Sequence, residues 1–296
     1  MQKKRVILDT DIGDDIDDAY ALSFLLSSPE VQLDGVCTVH GAVEARARIA
    51  LKLLRQAGRE DVPVIIGLAG PGDAQALPNQ APWAQEMDGG NCRRDFVEFM
   101  AEAAAASPGE VHLLAIGPLT NVGCIFRQRP ETAKMLAGLI VMGGSVYRGY
   151  GGKDAPQAEY NIRCDPEAAR AVLESGADIT LVPLDATAAL ELSDEQLRRI
   201  AHSEAPLAKA MTELLPLWRA HSGHNPILYD PFTAALLIDP SLGRLKKMGI
   251  QVTDEGMTRP AQTSRSSARV CVESDAERFF EFLMSRLIGS ATQRRS

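Results

Sequence analysis

Short apolar, β-branched runs alternate along the chain with longer segments of helical period. The runs are RVIL (5–8), VCTV (36–39), VPVII (62–66), VHLLAI (111–116), LIVM (139–142) and ITLVPL (179–184). Strands covered on both faces read as continuous apolar runs, so this series predicts a parallel sheet. Between the runs, Asp18 to Leu26 and Glu44 to Leu54 repeat apolar residues at three and four and carry charges elsewhere, as crossover helices do. The expectation is an α/β fold: an open, mostly parallel twisted sheet with helices on both faces, forming one domain over residues 1–296. AEAAAA (101–106) reads as helix, SRSSAR (264–269) as loop, and CVESDAERFFEFLMSRL (271–287) as strand then helix, with 290–296 a frayed tail. Pro and Gly cluster in 67–83 and 146–156, too irregularly for ordinary connections, and these segments read as loops over a site.

Composition narrows the classes. A chain of 296 residues, 45% of them hydrophobic, can bury a large core, which excludes disorder and fibrous repeats. With 31 basic against 39 acidic residues the formal net charge is −8, which disfavours nucleic acid and anionic membrane surfaces as principal partners, since both need a cationic face. The five cysteines, Cys37, Cys92, Cys124, Cys164 and Cys271, are odd in number and contain no CxxC pair, so they read as reduced core thiols. No apolar segment reaches the length of a membrane span and the start lacks a long apolar stretch, so a soluble, cytoplasmic protein is expected.

The candidate chemistry begins where the first run ends. DTDIGDDIDDAYAL packs Asp9, Asp11, Asp14, Asp15, Asp17 and Asp18 between a strand and a helix. Carboxylates this close repel by on the order of a kcal/mol per pair even with near-aqueous screening, so protonation, exposure or a cation is required among them. An all-oxygen set without His or Cys favours a hard divalent ion such as Ca²⁺ or Mg²⁺. N-capping by Asp17 or a neighbour accounts for one or two of the six, not all. An EF-hand fails on spacing, because Gly13 falls at the fifth loop position and Tyr20 at the twelfth. Asp9 and Asp11 also fit the paired aspartates of a haloacid-dehalogenase-type Mg²⁺ phosphatase, in which Asp9 would be the nucleophile.

Ligands of open parallel sheets bind outside the carboxyl ends of strands. Four more such ends carry polar or glycine-rich signatures: His40-Gly41, GPLTN (117–121), GGS (143–145) and Asp185, which would ring the acidic cluster. Thr120 or Asn121 can cap a helix, and a backbone carbonyl there can serve as a ligand. In AEYNIRCDPEAA (158–169), Glu159 and Asn161 share one face of an extended segment, where a carboxylate and an amide can bind vicinal hydroxyls. Asp230 precedes an apolar helix, where capping is the commoner role and a distant carboxylate for the ion the other. No serine-hydrolase elbow or Walker sequence occurs.

Taken in order, DTDIGDDIDDAYAL, GPLTN, LIVMGG, AEYNIRCDPEAA, YDPFTAALLIDP and VESDAERFFEFL resemble the calcium-dependent nucleoside hydrolases, over residues 5 to about 288. The resemblance implies N-glycosidic hydrolysis of a ribonucleoside to ribose and free base, in a homodimer or homotetramer. It implies that Asp11 binds Ca²⁺ and acts as general base, and that Asp18, Asp230 and the backbone carbonyl of Thr120 complete the protein's ligands. It places Asp17, Glu159 and Asn161 on the ribose hydroxyls. The acidic motif is two residues longer here, so Asp14 or Asp15 are alternative occupants of the Asp17 and Asp18 roles, and the later pair, next to the helix, is preferred. Tyr229 stands where purine-cleaving members have a histidine and is the one nearby candidate for protonating the leaving base, provided its surroundings lower its pKa. Lys153 replaces an asparagine that contacts the 5′-hydroxyl, and the usual amide or acid near His40 to Ala42 is missing, leaving His40 as the polar residue at that wall. A Ca²⁺-dependent riboside binder without turnover is a further alternative.

Overall fold

A computed structural model describes residues 3–71, 76–89, 92–261 and 266–289. In chain order the elements are β1 (Lys4–Thr10), α1 (Asp17–Leu26), β2 (Val31–Thr38), α2 (Val43–Gln56), β3 (Val64–Ile66), α3 (Phe96–Ala106), β4 (Val111–Ala115), α4 (Thr120–Gln128), α5 (Thr132–Met135) and β5 (Gly138–Met142). There follow α6 (Tyr160–Cys164), α7 (Pro166–Leu173), β6 (Ile179–Val182), α8 (Leu184–Thr187), α9 (Asp194–Ala201), α10 (Pro206–Arg219), α11 (Tyr229–Ile238), β7 (Gly243–Val252), β8 (Thr258–Ala261), β9 (Ser267–Ser274) and α12 (Ala276–Leu287). All six expected strands and both crossover helices are present.

The nine strands form one sheet in the order β3-β2-β1-β4-β5-β6-β9-β7-β8. From β3 to β9 the neighbours are parallel, while β7 runs antiparallel to both β9 and β8. The fold is therefore the expected α/β arrangement, extended by an antiparallel edge. Alternation along β1 sends Val6 and Leu8 into one apolar cluster with α1, α2 and α11, and Ile7 into a second with α3, α4 and α7. Helices thus cover both faces, which is why the central stretches of the parallel strands read as continuous apolar runs.

The chain leaves β1 toward β2 on one side and later returns to β4 on the other. That reversal opens a crevice at the carboxyl ends of β1 and β4, the place where open α/β sheets bind ligands. Gly117, just past β4, permits the approach: a Cβ there would lie 2.8 Å from the Asp11 amide nitrogen and 2.8 Å from its Oδ1. Among the described residues no helix is long and apolar enough to cross a membrane.

One local reading needs correction. SRSSAR is only partly loop: 264–265 lie outside the described residues, and β9 begins at Ser267, whose side pairs with β7. The tail at 290–296 also lies outside the described residues.

Candidate active site

The crevice holds a cavity of about 320 Å³ lined by Asp11, Asp14, Asp15, Asp17, Asp18 and Asp230 on its acidic side. Glu159, Asn161, Tyr150, Tyr160 and Tyr229 line it further, with Ile116, Met142 and Leu184 as apolar wall. Tyr150 comes from the 146–156 loop, as expected of a segment over a site. The described part of the 67–83 segment, by contrast, contributes no lining residue and instead lies behind the acidic loop, where Asn79 and Gln80 bond to it.

Asp17 and Asp18 form the first turn of α1, whose cap position is Ile16 and which has no side-chain cap. Asp230 lies inside the first turn of α11, whose cap position is Leu228 and which also has no side-chain cap. Neither Asp17 nor Asp230 caps its own helix, so the capping reading fails for both. Instead Asp17 Oδ2 accepts the Asp230 amide of the facing helix at 3.1 Å. Asp18 Oδ1 accepts the Thr10 hydroxyl. One carboxylate oxygen each from Asp17, Asp18 and Asp230 lies within 4.8 Å of the others, and all three residues are buried. Among the described residues no lysine, arginine or histidine forms an ion pair with any of them, or with Asp11.

Burial, compounded by mutual repulsion, pushes the carboxyls of Asp17, Asp18 and Asp230 well above the usual carboxylate range. Burial likewise takes Asp11 up to about 6, against the opposing pull of Arg46. The unfavourable charge is relieved either by protons or by a cation seated among the oxygens. Three buried carboxylates with converging oxygens and no ion-pair partner match the donor set of a hard divalent ion. This buried aspartate cluster can bind a metal. Asp11 lies outside the tightest group but on the same cavity.

The ribose-side residues converge differently from expectation. Glu159 and Asn161 are not on an extended segment: Glu159 caps α6, accepting the Asn161 and Ile162 amides at 2.9 and 3.2 Å. The physical reason is that a carboxylate before an N-terminus satisfies amides that lack helical partners. Glu159 also accepts the Gly144 amide at 2.9 Å, and burial still raises its carboxyl to about 7. Asn161 donates Nδ2 to the carbonyls of Ile116 (2.9 Å) and Met142 (3.2 Å), so the amide is fixed against the ends of β4 and β5.

Of the other candidates, Thr120 opens α4 and donates its hydroxyl to Asp165 at 2.8 Å. It is not among the cavity-lining residues. Lys153 is exposed and also lies off the cavity lining. His40 stands behind the wall, its Nε2 at 3.2 Å from the Tyr160 hydroxyl. Asp185 does not join the acidic ring; its carboxylate accepts the Val146 and Tyr147 amides at 2.8 Å each and anchors the 146–156 loop. Tyr229 lines the cavity, but burial and the neighbouring Asp17 raise its phenol further above the ordinary value, the opposite of what a proton donor needs.

Asp9 settles the phosphatase alternative. It has no exposed surface, accepts at Oδ1 from Asn121 Nδ2 at 2.7 Å, and is not among the cavity-lining residues. A buried carboxylate of that kind, raised by burial to about 7, is no nucleophile for an incoming phosphate ester.

Sequence reasoning passed over Arg46. Its signal was a charge on the apolar stripe of α2, between Val43 and Ala50, where the helical period calls for a hydrophobic residue. Tyr150 and Tyr160 were also missed, because a lone tyrosine in a loop or at the start of a short helix carries no spacing signal.

Comparison with known proteins agrees with the geometry. The sequence profile of the inosine-uridine preferring nucleoside hydrolases matches residues 6–281. A protein described as probable uridine nucleosidase 2 of Oryza sativa subsp. japonica is 32% identical over 87% of this chain and 80% of its own. The non-specific ribonucleoside hydrolase RihC of Shigella boydii is 34% identical over 85% of this chain and 84% of its own. A solved plant nucleoside hydrolase, the PpNRh1 enzyme, superposes with a TM-score of 0.86 at 26% identity, covering 97% of this chain and 99% of that one. The chain belongs to the inosine-uridine preferring nucleoside hydrolase family.

Proposed function

We infer that this protein hydrolyses the N-glycosidic bond of ribonucleosides with Ca²⁺ held at the aspartate cluster. The hydrolase activity follows from the family. The observation that carries the site reading is the buried trio of Asp17, Asp18 and Asp230, without an ion-pair partner, on one cavity with Asp11, Glu159 and Asn161. In this reading Asp18 and Asp230 hold the ion, joined by Asp11 and the Thr120 carbonyl. Asp17, Glu159 and Asn161 take the ribose hydroxyls.

When bound, such an ion supplies positive charge that acidifies water and attracts vicinal hydroxyls. The chain's own groups do the rest. Asp11 accepts the proton of the attacking water, a contribution typically of ~10²–10⁴ in rate. The surrounding carboxylates favour the positive charge that develops on the ribosyl ring as the base departs. Glu159 and Asn161, each fixed by backbone bonds, hold the sugar in register with that water. Assembly as a homodimer or homotetramer belongs to the same reading and rests on the family likeness.

The test is to incubate the purified protein with uridine, inosine, 2′-deoxyuridine and p-nitrophenyl phosphate, with calcium and with a chelator. Free ribose from the ribonucleosides, lost on chelation, is expected. Release of inorganic phosphate, or tight riboside binding without turnover, would overturn the reading.

A further inference from the structure

The acidic loop between β1 and α1 is held from behind by two side chains, Arg46 and Gln80, which are almost wholly buried. Arg46 is 2% exposed and Gln80 fully enclosed. Arg46 Nη1 donates to the carbonyls of Asp11 and Ile12, the latter at 3.2 Å. Its Nη2 meets the Asp14 carboxylate at 2.8 Å, and its Nε donates to the His40 carbonyl at 2.6 Å. Gln80 takes up the loop where Arg46 leaves off. Its backbone amide donates to the Gly13 carbonyl at 2.9 Å, and its Nε2 to the carbonyls of Asp14 (3.4 Å) and Asp15 (2.8 Å). Every backbone carbonyl from Asp11 to Asp15 is thus claimed by one of two residues that touch nothing in the cavity themselves.

Stability alone does not account for a guanidinium at this position. Arg46 occupies the apolar stripe of α2, and a buried charge pays a desolvation penalty that a hydrophobic side chain of similar volume avoids. What the guanidinium offers is its planar fork, which reaches several acceptors in fixed relative geometry. Here the fork joins two loops: the acidic one after β1, and the one after β2 at His40. His40 is the one non-glycine residue with positive φ (69°) among the described residues, a conformation that persists only where its surroundings impose it. Its ring packs edge-on to Tyr160, with centroids 5.9 Å apart. Arg46 therefore sets the acidic wall and the tyrosine wall of the cavity against each other.

We propose that Arg46, assisted by Gln80, is a positioning residue for hydrolysis, fixing the backbone of Asp11–Asp15 so that the Asp11 carboxylate stays in place to accept the proton from water. The inference rests on the reading of Asp11 as the base. A misplacement of about 1 Å costs about 10² in rate, so Arg46→Ala is expected to lower kcat by about 10²-fold while KM moves within about threefold. Lysine carries the charge but not the fork, so Arg46→Lys is expected to remain well below the parent, and it serves as the test should the alanine variant not fold.

The experiment measures kcat and KM for uridine and inosine in the calcium-loaded parent, Arg46→Ala, Arg46→Lys and Asp11→Asn, with and without millimolar guanidinium chloride, each variant first checked by circular dichroism. Guanidinium restoring Arg46→Ala by tenfold or more, with no gain for the parent or Asp11→Asn, supports positioning. Folded Arg46 variants with kcat within threefold of the parent overturn it, as does a loss that falls on KM alone. A parent that releases no ribose from either nucleoside overturns the functional reading itself, a result distinct from an unaffected Arg46 variant.

Discussion

Asp14 and Asp18 lie four residues apart in one acidic run, yet the fold treats them oppositely. Asp14 is half-exposed, meets Arg46 at 2.8 Å and accepts the Asn79 amide at 3.2 Å. Asp18 is buried beside Asp17 and Asp230, and Thr10 offers it a hydroxyl but no charge. Where a carboxylate serves the loop, the protein supplies an ion-pair partner; among the three that converge on the cavity, none has one. Residue type alone does not separate structural from functional aspartates. The presence or absence of a direct ion-pair partner does.

Several changes break or sharpen that contrast. The largest effect is expected at Asp11, where Asp11→Asn should lower kcat by about 10²–10⁴-fold in a nucleoside hydrolysis assay while leaving the fold intact. Loss within threefold would remove Asp11 from the reaction. Next comes the sugar: a hydrogen bond to a charged group is worth about 1.5–3 kcal/mol, so 2′-deoxyuridine should show kcat/KM about 10- to 100-fold below uridine. Equal rates would deny the carboxylates their role as hydroxyl binders.

The third effect is on stability against pH. Asp11 is raised to about 6 and Glu159 to about 7, with Asp17, Asp18 and Asp230 raised as well, all above the unfolded carboxyl range near 4. Between pH about 4 and 7 the metal-free folded chain therefore binds more protons than the unfolded one, and its stability falls as pH rises through that window. Calcium among the oxygens replaces those protons, and at 100 times its Kd adds about 2.7 kcal/mol. Thermal melts across pH 5–7.5 should converge at the acid end and separate above it, calcium curve higher. Parallel curves would contradict a cation site in the aspartate cluster. The smallest effect belongs to Tyr229→Phe, which should cost no more than about tenfold in kcat, the worth of one hydrogen bond of about 1 kcal/mol, since a phenol raised by burial is a poor proton source.

Much of this was legible in the sequence. Continuous apolar runs announce the parallel strands because burial on both faces leaves no polar alternation to hide them. β7 and β8 escaped for the converse reason: residues 243–252, RLKKMG among them, are half-exposed and read as a polar stretch. The dense aspartates and the order of the later motifs pointed to one cavity. Motif order could not tell that Glu159 caps a helix, that Asp185 anchors a loop or that Asp17 reaches across to α11, because each depends on backbone amides of other segments. Arg46 was visible only as a breach of helical period, a signal that identifies a buried charge without naming what it holds.

The central claim, that the buried aspartate cluster seats a divalent cation with Asp18 and Asp230 among its ligands, is tested most directly by elemental analysis of chain equilibrated with calcium and then passed through chelating resin. The account predicts one tightly held calcium per chain in the parent and essentially none in Asp18→Ala, with both proteins folded. A parent that emerges without calcium, or an Asp18→Ala chain that retains a full equivalent, would contradict it.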